Sequence, residues 1–182
     1  MGGTGKRWQA GKAKLDRVMI ELVTPYNWER HREVMHVIMT DPARYGQFGS
    51  WSHFPTEAPK DDWIESKFIA IVGEKAIGFG LITRERGLGD VATLQLGLRP
   101  EWRGKGYGAI LGRLLTRYAF ENLGMEKIEG SAFGSNPASV AMQAGGMTAE
   151  GVQRRHCKVR GQYVDRHLFG LTREEWLAQV AK

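Results

Sequence analysis

A strand-like run leads directly into a glycine-rich turn and a helical pattern between residues 91 and 118. Residues 91–98 alternate in part between apolar and polar side chains, which is typical of a β-strand. The turn Arg103-Gly104-Lys105-Gly106-Tyr107-Gly108 then places three glycines and two cations in six positions. A strand that enters a helix through such a turn predicts a layered α/β fold with an anion-binding helix terminus.

Three readings of this turn compete: an ordinary strand-to-helix connection, a dinucleotide-binding loop and a cradle for another phosphate ligand. Gly104-x-Gly106-x-x-Ala109 does fit the loose dinucleotide fingerprint. However, residues 134–136 offer no acidic side chain for a ribose, and a preceding hairpin breaks the βαβ repeat. An ordinary turn would rarely need three alternating glycines and two cations, so the pattern favours the phosphate cradle.

The remaining patterns predict an α/β sandwich around a mostly antiparallel sheet of about seven strands. The order is strand, helix, loop, hairpin, strand, helix, strand, helix and hairpin, followed by a terminal helix that Thr172 caps. A long loop over residues 41–63 carries six aromatic or histidine rings, and we predict that it shapes a binding pocket. The predicted strands are 18–23, 67–72, 76–83, 91–98, 127–133, 147–158 and 162–169.

Length and composition indicate one globular domain in 182 residues. The first 16 residues are rich in glycine and lysine, so we expect a flexible basic leader at 1–16 and a folded domain at 17–182. The sequence has no apolar run of membrane-spanning length and a single cysteine, Cys157, which favours a cytoplasmic protein. The histidines lack metal-ligand spacing, so we expect no metal site.

The net charge of +6 is concentrated at both ends of the chain. Residues 151–173 contain six arginines and lysines against Asp165 alone. A basic surface of this kind favours anionic partners such as phosphate cofactors, acidic proteins or nucleic acid.

The turn resembles the signature of the GCN5-related N-acetyltransferases, [Q/R]-x-x-G-x-[G/A], which Arg103–Gly108 matches. The resemblance extends over roughly residues 17–178: Pro100 precedes the motif, Asn136-Pro137-Ala138-Ser139 follows the next strand, and Gly146-Met147 stands where the family usually has Gly-Phe. The C-terminal part is similar to the branch that contains ribosomal-protein N-terminal acetyltransferases and aminoacyl-tRNA-acetylating toxins.

The resemblance implies a three-layer α/β/α sandwich whose sheet is splayed between its fourth and fifth strands. The pantetheine arm of acetyl-CoA would enter this gap and pair with the backbone of Leu96 and Leu98. A backbone N–H near Leu98 would polarise the thioester carbonyl, and Asn136 would bond the pantetheine. The pyrophosphate would be held by Arg103, Gly104, Lys105, Gly106, Tyr107 and Gly108.

The catalytic side chains are less clearly marked than the cofactor loop. Many family members use a tyrosine of the fourth helix as general acid, and this chain has none between Pro137 and Gly146. The resemblance therefore points to Ser139 as the acid, with Tyr163 as a second candidate. Glu85 is the candidate base, acting through a water, and Asp90 is the alternative.

Two functions from different classes follow. The first is direct transfer of an acetyl group from acetyl-CoA to a primary amine: a protein N-terminus, a lysine, a small amine or an aminoacyl-tRNA. The second is a non-catalytic module of the same fold that binds nucleic acid or acyl-CoA. The basic C-terminal hairpin favours an anionic or RNA-linked acceptor, no membrane partner is expected, and a homodimer is compatible with the sequence.

Overall fold

The computed structural model describes residues 7–9, 18–22, 28–40, 65–84, 89–134, 136, 142–143, 145–159 and 161–181. Within these ranges the chain forms one mixed sheet with helices on both of its faces. The predicted three-layer α/β sandwich is confirmed.

Eight described strands form the sheet, in the order β1-β2-β3-β4-β5-β6-β8-β7. Each neighbouring pair is antiparallel except β5 and β6, which are parallel. The sheet therefore has one strand more than the roughly seven expected. The strands are β1 (Arg7–Gln9), β2 (Val18–Leu22), β3 (Glu65–Val72), β4 (Lys75–Arg84), β5 (Val91–Leu98), β6 (Lys127–Phe133), β7 (Thr148–Val159) and β8 (Gln162–Thr172).

The additional strand lies inside the predicted leader. Arg7–Gln9 pairs antiparallel with β2, with Trp8 opposite Ile20. These three residues are therefore an edge of the sheet rather than a flexible segment, because ladder hydrogen bonds to β2 fix their backbone. The domain boundary at residue 17 stays a prediction.

The parallel strands β5 and β6 separate soon after they meet. They pair at Val91 with Lys127, Ala92 with Ile128 and Thr93 with Glu129. The last five residues of β5 and the last four of β6 do not pair with each other. On their other edges, β5 stays paired with β4 up to Leu98 and β6 stays paired with β8 up to Phe133. This is the predicted splay, a wedge-shaped gap that opens toward the carboxyl ends of both strands.

Helices α1 (Trp28–Met39) and α2 (Tyr107–Asn122) lie on opposite faces of the sheet. Val34, Met35 and Ile38 of α1 pack against Phe79 of β4. The α2 side holds the larger core, which includes Leu111, Leu115 and Phe120 of α2 with Phe68, Ile82, Ile128, Phe169 and Leu171 of the sheet.

The terminal helix α3 (Arg173–Val180) begins as predicted at Thr172. The Thr172 hydroxyl accepts a hydrogen bond from the backbone N–H of Glu175, and the Glu175 carboxylate accepts one from the backbone N–H of Thr172 at 2.8 Å. This reciprocal capping box satisfies two N–H groups that a helix terminus otherwise leaves unpaired. The backbone N–H of Thr172 lowers the pKa of the Glu175 carboxyl.

The aromatic loop at 41–63 lies outside the described residues, so its role in shaping a pocket stays a prediction. Among the helices that the structure describes, none is long and apolar enough to cross a membrane.

The buried histidine of α1 predicts a loss of stability in acid. His31 is 3% exposed, and burial together with the nearby Lys67 charge lowers its pKa from 6.5 to about 4. In the unfolded chain the His31 imidazole takes up a proton near pH 6.5, whereas in the native state it stays neutral until about pH 4. The free energy of unfolding therefore falls as the pH is lowered from 6.5 to 4. Integrated over this window the loss is about 3 kcal/mol. Urea unfolding at several pH values measures it.

His31→Gln removes the titrating group and should flatten that part of the stability curve, even if the variant is less stable at pH 7. His36→Gln, an exposed change on the same helix, should keep the wild-type slope. Equal slopes for wild type and His31→Gln between pH 6.5 and 4 would contradict the assignment.

Gly97 lets α1 approach β5 closely. A methyl group at this position would lie 2.5 Å from Phe79 Cε1 and 2.9 Å from Ile38 Cγ2, both buried. We expect Gly97→Ala to lower the free energy of unfolding by about 1–3 kcal/mol, because one of these side chains must move in a packed interior. Gly151→Ala is the matched control, since a methyl there meets no atom within 4 Å. A thermal melt in which both variants match wild type would disprove this packing argument.

Candidate functional site

The edge of β5 presents backbone groups to the gap at alternate residues. Arg99 donates its N–H to the carbonyl of Ile77 on β4 at 2.9 Å, so the backbone groups of Arg99 point away from the gap. Because successive residues of a strand direct their backbone groups to opposite edges, those of Leu96 and Leu98 point into the gap. This is the orientation that the two predicted pantetheine-binding residues require.

Arg103 connects the glycine-rich turn to this edge. Its Nε donates a hydrogen bond to the carbonyl oxygen of Leu98 at 2.8 Å. A 3-10 turn, Pro100–Trp102, links the two residues, and the Arg103 N–H donates to the Pro100 carbonyl at 3.2 Å. The contact places a guanidinium at the mouth of the gap and satisfies one of the gap-facing carbonyls.

The turn itself needs glycine at two positions. Gly104 has a φ of 70° and Gly106 a φ of 84°, both in the left-handed region that other residues enter at a cost. These conformations turn the chain from the end of β5 into the first turn of α2.

The N-terminus of α2 offers backbone donors to a ligand. Gly106 is the N-cap and has no side chain to bond the first turn. The first intrahelical hydrogen bond runs from the Ile110 N–H to the Gly106 carbonyl at 3.4 Å. The N–H groups of residues 107–109 precede it and lie at the positive end of the helix dipole. Such an arrangement favours phosphate oxygens.

Packing holds this terminus close to the gap. A methyl group at Gly108 would lie 3.8 Å from Leu98 Cδ1, and one at Gly112 would lie 3.7 Å from Leu96 Cδ2. Trp102 and Tyr107 meet edge to face with ring centroids 5.2 Å apart. The anion-binding terminus and the gap-facing edge of β5 are thus parts of one rigid unit.

Lys105 is exposed and donates from Nζ to the carbonyl of Glu101 at 2.7 Å. Its ammonium group therefore stays on the same turn as the Arg103 guanidinium. Together the two side chains add positive charge to the backbone donors of the α2 terminus.

Asn136 lies near the opposite wall of the gap. It follows β6 by three residues, is 7% exposed, and donates its backbone N–H to the Phe133 carbonyl at 3.1 Å. Its predicted contact with a ligand in the gap stays a prediction.

The catalytic candidates are not brought together by the described part of the chain. Ser139 and Glu85 lie outside the described residues. Asp90 precedes Val91 at the closed end of the gap, about 26 Å along the strand from Leu98 at 3.3 Å per residue. Tyr163 of β8 is half exposed, with the Arg155 guanidinium 4.3 Å and the Lys158 ammonium 4.9 Å from its ring centroid. It lies beyond Arg166, where pairing with β6 ends.

Polar and aromatic side chains that the sequence does not single out face the other side of the gap. The side chains of Leu96 and Leu98 lie against α2, and Gly97 lies beside Ile38 of α1. Because side chains alternate along a strand, Gln95 lies on the same α1 face as Gly97. Ser131 and Phe133 occupy the same face of β6, and Arg166 of β8 lies directly opposite Phe133. The alternation of β5 could have identified Gln95, but the others depend on a strand register that local sequence does not reveal.

No cluster of three or more potential metal-ligating side chains occurs within the described ranges.

Comparison with known proteins agrees with this geometry. A family model described as "Acetyltransferase (GNAT) domain" matches residues 20–148. The chain is 28% identical over 136 residues to the SPbeta prophage-derived uncharacterized N-acetyltransferase YokL of Bacillus subtilis (strain 168), covering 68% of this chain and 76% of YokL. It is 29% identical over 100 residues to the uncharacterized N-acetyltransferase p20 of Bacillus licheniformis, covering 54% of each protein.

The fold is shared with solved structures of low sequence identity. The spermidine/spermine N-acetyltransferase SpeG from Vibrio cholerae superposes with a TM-score of 0.72 at 19% identity, covering 92% of this chain and 99% of that one. The family model spans well over half of the chain and includes β5, the glycine-rich turn and α2. The chain therefore belongs to the GNAT acetyltransferase family.

Proposed function

We propose that this protein transfers the acetyl group of acetyl-CoA directly to a primary amine. The observation that carries the proposal is the juxtaposition of two features at one end of the sheet. An anion-binding helix terminus lies beside a strand edge whose backbone groups are directed into an open gap. The helix terminus suits a pyrophosphate, and the strand edge suits the amides of pantetheine.

The donor binds along β5 and across the start of α2. The N–H groups of residues 104–108, with the cations of Arg103 and Lys105, hold the pyrophosphate. The pantetheine continues the sheet by pairing with Leu96 and Leu98 in place of the missing strand. Asn136 bonds it from the opposite wall.

The reaction forms an N–C bond and breaks the C–S bond of the thioester. The neutral amine attacks the carbonyl carbon, and the oxyanion that develops is stabilised by the Leu98 N–H, which is directed into the gap. The amine nitrogen loses one proton and the departing thiolate takes one. Glu85, acting through a water, is our candidate for the first proton transfer and Ser139 for the second.

The acceptor amine must be neutral to attack. An α-amine, with a pKa near 8, supplies the neutral form at physiological pH far more readily than a lysine near 10.4. This favours a protein N-terminus or an aminoacyl group over a lysine side chain, in agreement with the C-terminal resemblance to the ribosomal-protein N-terminal acetyltransferase branch.

The basic hairpin β7–β8 supports the second candidate function, a nucleic-acid-binding module without turnover. Arg154, Arg155 and Lys158 lie there on exposed positions. Binding of nucleic acid that falls steeply with salt and is unaffected by acetyl-CoA would favour the module.

Calorimetric titration with acetyl-CoA and with desulpho-CoA tests the donor site. We expect micromolar binding of both to the wild-type protein. We expect Gly106→Trp to lose this binding, because the indole would cover the N–H groups of the α2 terminus. Gly89→Trp is the matched control: Gly89 also has a positive φ, 71°, a Cβ there meets no atom within 4 Å, and it precedes β5 at the end opposite the glycine-rich turn.

Both substitutions place a side chain in the left-handed region and should lower stability by a similar amount, about 1–2 kcal/mol. Thermal melts separate that common effect from the loss of binding. Normal acetyl-CoA affinity in Gly106→Trp, or no binding by the wild-type protein, would refute the donor site.

A further inference from the structure

We propose that the acceptor carries an oxyanion near its amine and that Arg166 binds this group on the α1 face of the gap. The inference rests on the proposed acetyltransferase function, since it concerns the second substrate of the same site. It names the chemical class of acceptor, an amine joined to a carboxylate or phosphate, and the residue that selects it.

The donor and the acceptor reach the gap from opposite faces of the sheet. On one face Leu96 and Leu98 lie against α2, whose N-terminus holds the donor. On the other face the gap is bordered by polar or aromatic side chains that are each partly buried: Gln95, Ser131 and Phe133. Among the described residues, α1 contacts β3, β4 and β5 on this face, so it covers the β5 side of the gap. The face near Phe133 and Arg166 is the entrance left to an acceptor.

Arg166 is a partly buried cation without an anionic partner in the described part of the chain. Its Nε atom is buried and makes no hydrogen bond there. Of the other partly buried arginines, Arg99 binds Glu33 at 2.8 Å and Arg173 binds Glu126 at 2.8 Å, while Arg84 likewise has a buried Nε without a hydrogen bond in the described part of the chain. A desolvated guanidinium without a counterion is unfavourable, and an oxyanion from a ligand would supply both the charge and the acceptors that it lacks.

The surroundings of Arg166 increase the positive charge. Arg166 lies opposite Phe133 on β6 and Gln153 on β7. Immediately after Gln153 the β7 strand bulges, and an open pocket is lined by Arg154, Arg155 and Asp165. The Asp165 carboxylate accepts the Arg155 backbone N–H at 2.7 Å, so the nearest acidic group is engaged by the backbone.

The His156 imidazole belongs to the same surface. Its ring stacks on Phe133 at 5.9 Å between centroids, with an interplanar angle of 22°. The bulge thus returns to the end of β6 through His156, whereas the Arg155 guanidinium lies over the Tyr163 ring toward the hairpin turn. Beside the Arg166 guanidinium a polycationic acceptor would be repelled, and an anionic one attracted.

The structural neighbour SpeG, whose name gives spermidine and spermine as acceptors, shares the fold at a TM-score of 0.72. A shared fold does not fix the substrate, and Arg166 beside the gap disfavours a polyamine in this chain.

The test uses amine acceptors that differ in charge. Phosphoethanolamine, β-alanine, ethanolamine and spermidine are each titrated into wild-type protein saturated with desulpho-CoA to measure their binding. In a second assay, acetyl transfer from acetyl-CoA is measured by the release of free thiol. We expect wild type to prefer the two anionic amines. Phosphoethanolamine and β-alanine distinguish phosphate from carboxylate as the source of the oxyanion.

Arg166→Gln should weaken binding of the preferred anionic amine about 10- to 100-fold, the range expected for losing a charged hydrogen bond. It should leave the acetyl-CoA affinity unchanged and raise the KM for ethanolamine far less than that for the anionic amine, because ethanolamine has no oxyanion for Arg166 to bind. Arg113→Gln, an exposed change on α2 with the same loss of charge, is the control and should have no effect. Arg166→Lys should restore part of the affinity.

Stronger binding of spermidine than of either anionic amine, no binding of the anionic amines, or equal losses for ethanolamine and the anionic amine in Arg166→Gln would overturn the proposal. Failure of the protein to bind acetyl-CoA would instead refute the proposed function, so the two failures are distinguishable.

Discussion

The incomplete pairing of β5 with β6 is the constraint on which the site depends. Interior strands of a sheet normally satisfy their backbone groups on both edges. Here the two parallel strands pair through Thr93 and Glu129 and then diverge, leaving the last five residues of β5 without that neighbour. The Arg103 side chain satisfies the Leu98 carbonyl. The other gap-facing groups suit a ligand with amides of its own, and on this basis we propose that the pantetheine arm takes the place of the missing strand.

Under the proposed function, the same divergence would let two reactants approach from opposite faces. Strand alternation directs the side chains of Leu96 and Leu98 toward α2 and that of Gln95 toward the α1 side, while the backbone groups of Leu96 and Leu98 point into the gap. A donor anchored at the α2 terminus would therefore present its thioester in the plane of the sheet. An amine on the α1 face would then reach the carbonyl carbon without displacing the donor.

Local sequence was sufficient for the parts of the site that are contiguous. Glycine placement and periodicity within about twenty residues predict β5, the turn from Arg103 to Gly108 and the start of α2. Four consecutive residues are enough to predict the Thr172 cap. The pairing of Arg7–Gln9 with β2 was missed because a three-residue strand has no periodicity of its own. Arg166 was missed as a site residue because its position depends on the register of β6, β7 and β8, which a bulge after Gln153 shifts.

The charge of the acceptor face also bears on the chemistry of the amine. A cation near an ammonium disfavours the protonated form and lowers its pKa. If Arg166 binds the acceptor as proposed, it would therefore increase the fraction of neutral, nucleophilic amine, while an oxyanion on the same molecule would keep the acceptor bound. Such a site would need less from a general base, which offers a physical reason why no strong base motif is evident in the sequence.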